Sequence, residues 1–198
     1  GELRGYCTRH RLLDRELLLL QPARIVRRKA IDVGVRALAA LRERGVDAAY
    51  VVTGAPDPHN PASADYGAEL RESVAQLGVC DHFLFAGDES EIGAAEMAAL
   101  FRVCDAVFLP SGAEGFGLPV LEAAMQRIPV FCTVGGTMAE LLDDGVHTFD
   151  PADDPQEIAN LLADTLGEDA AFRARRQVMR EYSWRGIYES KIRPALGV

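Results

Sequence analysis

The sequence predicts an α/β fold, a doubly wound parallel sheet of about six strands with helices on both faces. Three observations predict it. Apolar strand-like runs alternate with helical stretches along the chain, the strands are apolar at consecutive positions, and one strand runs into a glycine-rich turn that opens a helix. Strict alternation of β and α elements implies parallel strands joined by right-handed crossovers, which place helices on both faces. A sheet covered on both sides has no solvent face, and Tyr50-Val51-Val52 and Val107-Phe108-Leu109 are apolar on both. At 198 residues, 48% of them hydrophobic, the chain can build one sizeable domain with a real core and is too short for two.

Each element follows from its local pattern. Residues 1–16 are dense in Arg, Asp and Glu without a clear strand and are expected to form a linker or connecting segment outside the core. The domain itself is expected over 17–182. Strands are expected at 17–21, 48–53, 82–86, 105–109, 128–132 and 146–149, with helices at 30–43, 65–77, 91–103, 118–126, 137–143 and 155–166. Residues 54–61, with prolines at 56, 58 and 61, are expected to be an irregular loop on the edge that carries the glycine-rich turn. Asp169 to Tyr182 and Trp184 to Leu196 are expected as C-terminal helices, with 183–198 as the last one.

The turn itself is Ser111-Gly-Ala-Glu-Gly-Phe-Gly-Leu-Pro-Val-Leu-Glu122. Strand-to-helix turns at the carboxyl ends of strands are where such sheets hold ligands. Gly115 and Gly117 allow the backbone to bend and to approach a ligand closely. Pro119 suits the first turn of a helix, where its missing N–H costs nothing. The N–H groups of Gly117 and Leu118, at the positive end of that helix, suit a phosphate. Glu114 and Glu122 sit awkwardly beside a phosphate, so neutral hydroxyls of a sugar or ribose are the better targets for their acceptor oxygens. The combination points to a sugar nucleotide.

Glu114-Gly-Phe-Gly-Leu-Pro-Val-Leu-Glu122 resembles the Glu-x7-Glu signature of retaining glycosyltransferases of family 4. Gln21-Pro-Ala-Arg24-Ile-Val-Arg-Arg-Lys29 resembles the stretch in which that family grips the donor diphosphate, and Gly136 to Leu142 and Tyr182-Ser183-Trp184 follow the family's order. The resemblance runs from about Leu17 to Leu196. It implies the Rossmann-like C-terminal half of a two-domain GT-B enzyme, binding a nucleoside diphosphate sugar and transferring a hexosyl group. Arg24 and Lys29 would contact the diphosphate, with Arg27 or Arg28 able to stand in for either. Glu114 would touch the transferred sugar and Glu122 the ribose, with Gly115, Phe116, Gly117 and Leu118 lining the donor. Glu114, Arg24 and Lys29 would be the groups closest to catalysis. GDP-mannose is the first donor expected and UDP-glucose the second. The base would rest near the loop after Phe85-Ala86-Gly87-Asp88. Ala30 stands where Gly or Asn is commoner in the family. The acceptor site would belong to an N-terminal domain outside this chain, so the domain alone would bind donor weakly and turn over little. In the family the C-terminal tail packs back on that domain, with Trp184 as an anchor. A sugar-nucleotide epimerase of the same fold and a noncatalytic nucleotide-binding module are the alternatives.

Composition narrows the field further. A net charge of −9 argues against a nucleic-acid binder, yet Arg24, Arg27, Arg28 and Lys29 form a basic island suited to a small anion. No apolar run approaches the roughly 18 residues of a transmembrane span. The start has no signal-peptide pattern, and Cys7, Cys80, Cys104 and Cys132 have no Cys-x-x-Cys spacing, so free thiols in a cytoplasmic setting are expected. There is no Asp-x-Asp and the four histidines have no ligand spacing, so no metal and no cofactor beyond the donor substrate are expected. Neither a Gly-x-Gly-x-x-Gly after the first strand nor a nucleophile elbow is present.

Overall fold

The computed structural model describes residues 7, 9–55, 59–88, 92–112, 117–134, 139–141, 145–182 and 184–196. Its strands are β1 (Leu17–Gln21), β2 (Ala48–Val52), β3 (Phe83–Phe85), β4 (Ala106–Leu109), β5 (Val130–Thr133) and β6 (Val146–Phe149). The helices between and after them are α1 (Ile31–Glu43), α2 (Pro61–Gln76), α3 (Ala94–Val103), α4 (Leu118–Met125), α5 (Pro155–Glu168) and α6 (Ala170–Glu181), and the expected C-terminal helix follows as short α-helical turns, Trp184–Ile187 and Arg193–Leu196, on either side of a π-helical stretch, Tyr188–Ile192. All pairings are parallel, in the order β3-β2-β1-β4-β5-β6. The order reverses between β1 and β4, which are hydrogen-bonded neighbours with Leu19 opposite Ala106.

The period-two alternation of strand side chains divides the core in two. Leu17, Leu19, Tyr50, Val52, Phe108 and Phe131 pack with α1, α2 and α5. Leu18, Leu20, Val51, Val107, Leu109 and Cys132 pack with α3 and α4. Tyr50 lies at the centre of the first layer, edge-on to Phe83 at 5.5 Å and to Phe108 at 6.1 Å. The doubly wound prediction therefore holds, with strand bounds within two residues of expectation.

Three local expectations are corrected. Cys7 and Leu12, in the segment expected to lie outside the core, are buried against the second layer. Helix α2 begins at Pro61 rather than 65, because the Asn60 side chain caps it by accepting from the Ala62 N–H at 3.1 Å while Pro61 fills the first position. In the helix expected at 137–143, Ala139 to Leu141 form a turn and bend, and the remaining positions lie outside the described residues. Cys7, Cys104 and Cys132 are buried free thiols and Cys80 an exposed one. No helix among the described residues is long and apolar enough to cross a membrane.

Candidate functional site

The two segments singled out in the sequence leave the carboxyl ends of adjacent strands. Residues 22–30, carrying Arg24 and Lys29, follow β1; Ser111 and, further along the chain, Gly117 at the start of α4 follow β4. These are the two strands at which the order reverses, where helices on opposite faces diverge and leave a crevice for ligands. Chain positions about 90 apart thus meet at one edge.

The β1 loop is a tight structure with a clamped backbone. Arg27 to Lys29 form a single 3-10 turn, and Ala30 then adopts a left-handed conformation (φ 47°, ψ 43°) that launches α1. Ser63, 1% exposed, donates its hydroxyl to the Ile25 carbonyl from α2. The Tyr66 hydroxyl accepts from the Asp32 N–H at 3.2 Å and donates to the Asp32 carboxylate at 2.8 Å. Burial first, and the Asp32 hydrogen bond next, hold the Tyr66 phenol protonated well above its ordinary range. Arg27 pairs with Glu69 and lies 5.0 Å over the Tyr66 ring, so α2 engages it from the side. Arg24 and Arg28 are exposed and Lys29 half-buried.

Across the crevice, Thr133 at the end of β5 donates to the Ser111 carbonyl at 2.8 Å, both residues being buried. Gly117 is left-handed (φ 72°) and its carbonyl accepts from the Val120 N–H at 2.9 Å, which starts α4 with Pro119 in the first turn. Leu118, Glu122 and Met125 share the exposed face of that helix. Glu114, Gly115 and Phe116 lie outside the described residues.

Beside the β1 loop, sequence reasoning missed how three loops stack. A Cβ on Gly54 would sit 2.5 Å from the Ala23 carbonyl and the Arg24 Cα, and one on Gly87 would sit 2.7 Å from the Ala55 N. The turns after β1, β2 and β3 thus touch backbone to backbone through glycines. Their layered ends line a cleft of about 440 Å³ that includes Arg24, Thr53, Ile92 and Met97. The only sequence signal was that Gly54 and Gly87 each stand one or two residues past a strand end. Among the described residues, no three His, Cys, Asp or Glu side chains converge as metal ligands would.

The family model for glycosyl transferases group 1 matches residues 8–184. The chain is 37% identical over 169 residues to a D-inositol 3-phosphate glycosyltransferase of Stackebrandtia nassauensis, covering 83% of this chain and 37% of that protein. It is 33% identical over 123 residues to the lipopolysaccharide core biosynthesis mannosyltransferase LpsB of Rhizobium meliloti, covering 62% of this chain and 32% of that protein. The chain spans about a third of the length of these curated relatives. Among solved structures, the C-terminal domain of the group 1 glycosyl transferase LpcC from Francisella tularensis matches with a TM-score of 0.66 at 26% identity, over 88% of this chain and 85% of that one. Anabaena Alr3699/HepE, solved with UDP and glucose, matches in fold with a TM-score of 0.70 at 22% identity, over 88% of this chain and 44% of that one.

Proposed function

The chain belongs to the group 1 glycosyl transferases, and from that premise we propose that it is the donor-binding domain of a retaining enzyme that moves a hexosyl group from a nucleoside diphosphate sugar to an acceptor. One observation carries the assignment of the site: the basic loop after β1 and the Gly117 turn after β4 flank the point where the strand order reverses. Arg24 and Lys29 bind the diphosphate from one side, and the N-terminus of α4 with the Gly117 and Leu118 N–H groups meets it from the other. As the glycosidic bond breaks, negative charge accumulates on the leaving diphosphate, and cations already in place stabilise it without reorganising. Glu122 accepts from the ribose hydroxyls and Glu114 from those of the sugar. The nucleoside occupies the cleft over Gly54 and Gly87.

GDP-mannose is the first donor in this reading, in keeping with a mannosyltransferase among the relatives, and UDP-glucose the second. The acceptor belongs to a second domain, as the match covers only 37% and 32% of the relatives' length. That domain also covers the C-terminal tail, where Tyr182, Trp184 and Leu196 are 63%, 85% and 65% exposed.

Titration of the chain with GDP, UDP and their sugar conjugates tests the reading. One nucleotide binds, and Lys29→Ala weakens it by about 10- to 100-fold, the scale of a charge-assisted contact. A folded protein that binds neither nucleotide at millimolar concentration, or a Lys29→Ala variant that binds like the original, would sink it.

A further inference from the structure

The last residue of β1 is a glutamine buried where the preceding four are leucines. Gln21 is fully buried, on the strand face that packs against α1 and Tyr50. A buried amide is unfavourable unless both of its ends are satisfied, and here both are. Its Nε2 donates to the Lys29 carbonyl at 2.8 Å, and its Oε1 accepts from the Tyr50 hydroxyl. The orientation is fixed by chemistry, because a carbonyl can only accept and must therefore face the amide nitrogen.

The relay is built across three elements. Tyr50 stands in β2 opposite Leu19, two residues before Gln21 on the same face of β1. Its ring reaches Gln21 by passing beneath Gly34 of α1, where a Cβ would overlap the phenol. Burial holds that phenol protonated well above its ordinary range, so it is a donor at neutral pH. Gln21 in turn grips Lys29, the last residue of the 3-10 turn before left-handed Ala30, where the Lys29 N–H donates to the Val26 carbonyl at 2.9 Å. Ser63 and Tyr66 hold the same loop at Ile25 and Asp32 from α2. The backbone from 25 to 32 is thus held by buried side chains from below and from one side, while its cations stay at the surface.

We infer that Gln21, oriented by the Tyr50 hydroxyl, is a positioning residue for the diphosphate: by fixing the Lys29 carbonyl it fixes where the Lys29 side chain leaves the backbone. This rests on the donor-site reading above. Ångström-scale placement of a charged group is what such a site requires, and a loop cation gains it only from a supporting layer with its own partners satisfied. Gln21 itself touches no substrate.

The test uses Gln21→Met, which keeps the side-chain length and removes both hydrogen bonds, and Tyr50→Phe, which removes one. NMR titrations with UDP and GDP, and with uridine and guanosine, give affinities and report folding in the same spectra. Gln21→Met weakens the bound nucleoside diphosphate about fivefold, the scale of one neutral hydrogen bond, and leaves the nucleoside affinity unchanged. In the Lys29→Ala background it adds no further loss, since the group it positions is gone. Equal losses for nucleoside and diphosphate, full additivity with Lys29→Ala, or unchanged affinity in a folded variant would each overturn the inference. Should Gln21→Met fail to fold, Tyr50→Phe carries the same comparisons with about a twofold effect, on the same warrant. A folded original protein that binds no nucleoside diphosphate removes the donor-site reading and this inference with it; binding that depends on Lys29 and ignores both variants removes the inference alone.

Discussion

The two edges of the sheet are built on different principles. At the carboxyl edge, glycines stack three turns backbone to backbone, and neutral side chains such as Gln21, Ser63 and Thr133 reach backbone carbonyls. The amino edge is held by half-buried ion pairs, whereas a carboxyl-edge pair such as Arg27 with Glu69 is exposed. Arg15 and Arg42 both donate to Asp47, at 2.9 and 3.2 Å; Arg176 meets Glu16 at 3.1 Å; and Arg175 grips both oxygens of Asp105 at 3.0 Å. Asp105 also accepts from the Leu18 N–H at 2.8 Å, so β1, β4 and α6 are tied together below the sheet. Clefts open on this edge too, one of about 490 Å³ beside Cys104, Asp105 and Arg175. Its charges are half-buried and paired with one another, whereas at the opposite edge Arg24 and Arg28 are exposed on a loop whose backbone is held by neutral side chains. The contrast separates stability from binding.

Breaking the amino edge has the largest expected effect. Burial pushes Asp105 up to about 6, against the downward pull of Arg175 and the Leu18 N–H. Its folded value lies above the ordinary 3.8, so its contribution to stability is complete below about pH 4 and is lost as pH rises through about 6. Arg175→Met removes the compensating charge and pushes Asp105 higher still. Urea unfolding is expected to show a loss of about 3 kcal/mol at pH 8 and markedly less at pH 5, where Asp105 takes up a proton. Nucleotide affinity stays as in the original. An equal loss at both pH values, or a fall in affinity matching that of Lys29→Ala, would erase the division between the edges.

At the carboxyl edge, Gly54→Ala joins the two quantities that the amino edge keeps apart. The new methyl meets backbone atoms of Ala23 and Arg24, which cannot rotate away, so the turns must separate. A loss of about 1–3 kcal/mol is expected in thermal unfolding, together with weaker nucleotide binding because Arg24 moves with the turn. Gly167→Ala near the end of α5 serves as the control, since nothing lies within 4 Å of its added methyl; it is expected to be neutral or to stabilise by about 0.5–1 kcal/mol. Similar behaviour of the two variants would refute the stacking argument.

How much of this was legible follows the range of the interactions. The strands of both edges were readable because an apolar run is a local signal, and the doubly wound order follows from strict alternation. Arg24, Lys29, Gly117 and Glu122 were singled out because their spacing is also local, and the fold brings the two segments that carry them to neighbouring strands. The amino edge was misjudged for the opposite reason. Arg15 and Glu16 resemble a solvated linker until Asp47 and Arg176, 32 and 160 residues away, come into contact with them. Gln21 passed as an ordinary strand end because its two partners meet it only through packing, one of them 29 residues on. The start of α2 at Pro61 was readable from the Asn60-Pro61 pair but was outweighed by the three prolines of the loop.

The smallest effect sharpens the comparison at Ala30. A left-handed residue bearing a Cβ costs about 1–2 kcal/mol relative to the ordinary helical region, and glycine escapes that cost. Ala30 stands at φ 47° as the cap of α1, with its methyl partly buried against the first core layer. Ala30→Gly therefore relieves strain, gives up a small contact and adds chain freedom to the unfolded state. The balance is expected to be a gain of about 1 kcal/mol, seen as a rise of about 2–4 °C in Tm. An unchanged or lower Tm would mean that the methyl contact outweighs the strain. Nucleotide affinity is expected to hold, because the Lys29 carbonyl keeps its bond to Gln21 whether residue 30 is strained or relaxed. A fall in affinity alongside a higher Tm would instead place the stiffness of residue 30 within the grip on the phosphates.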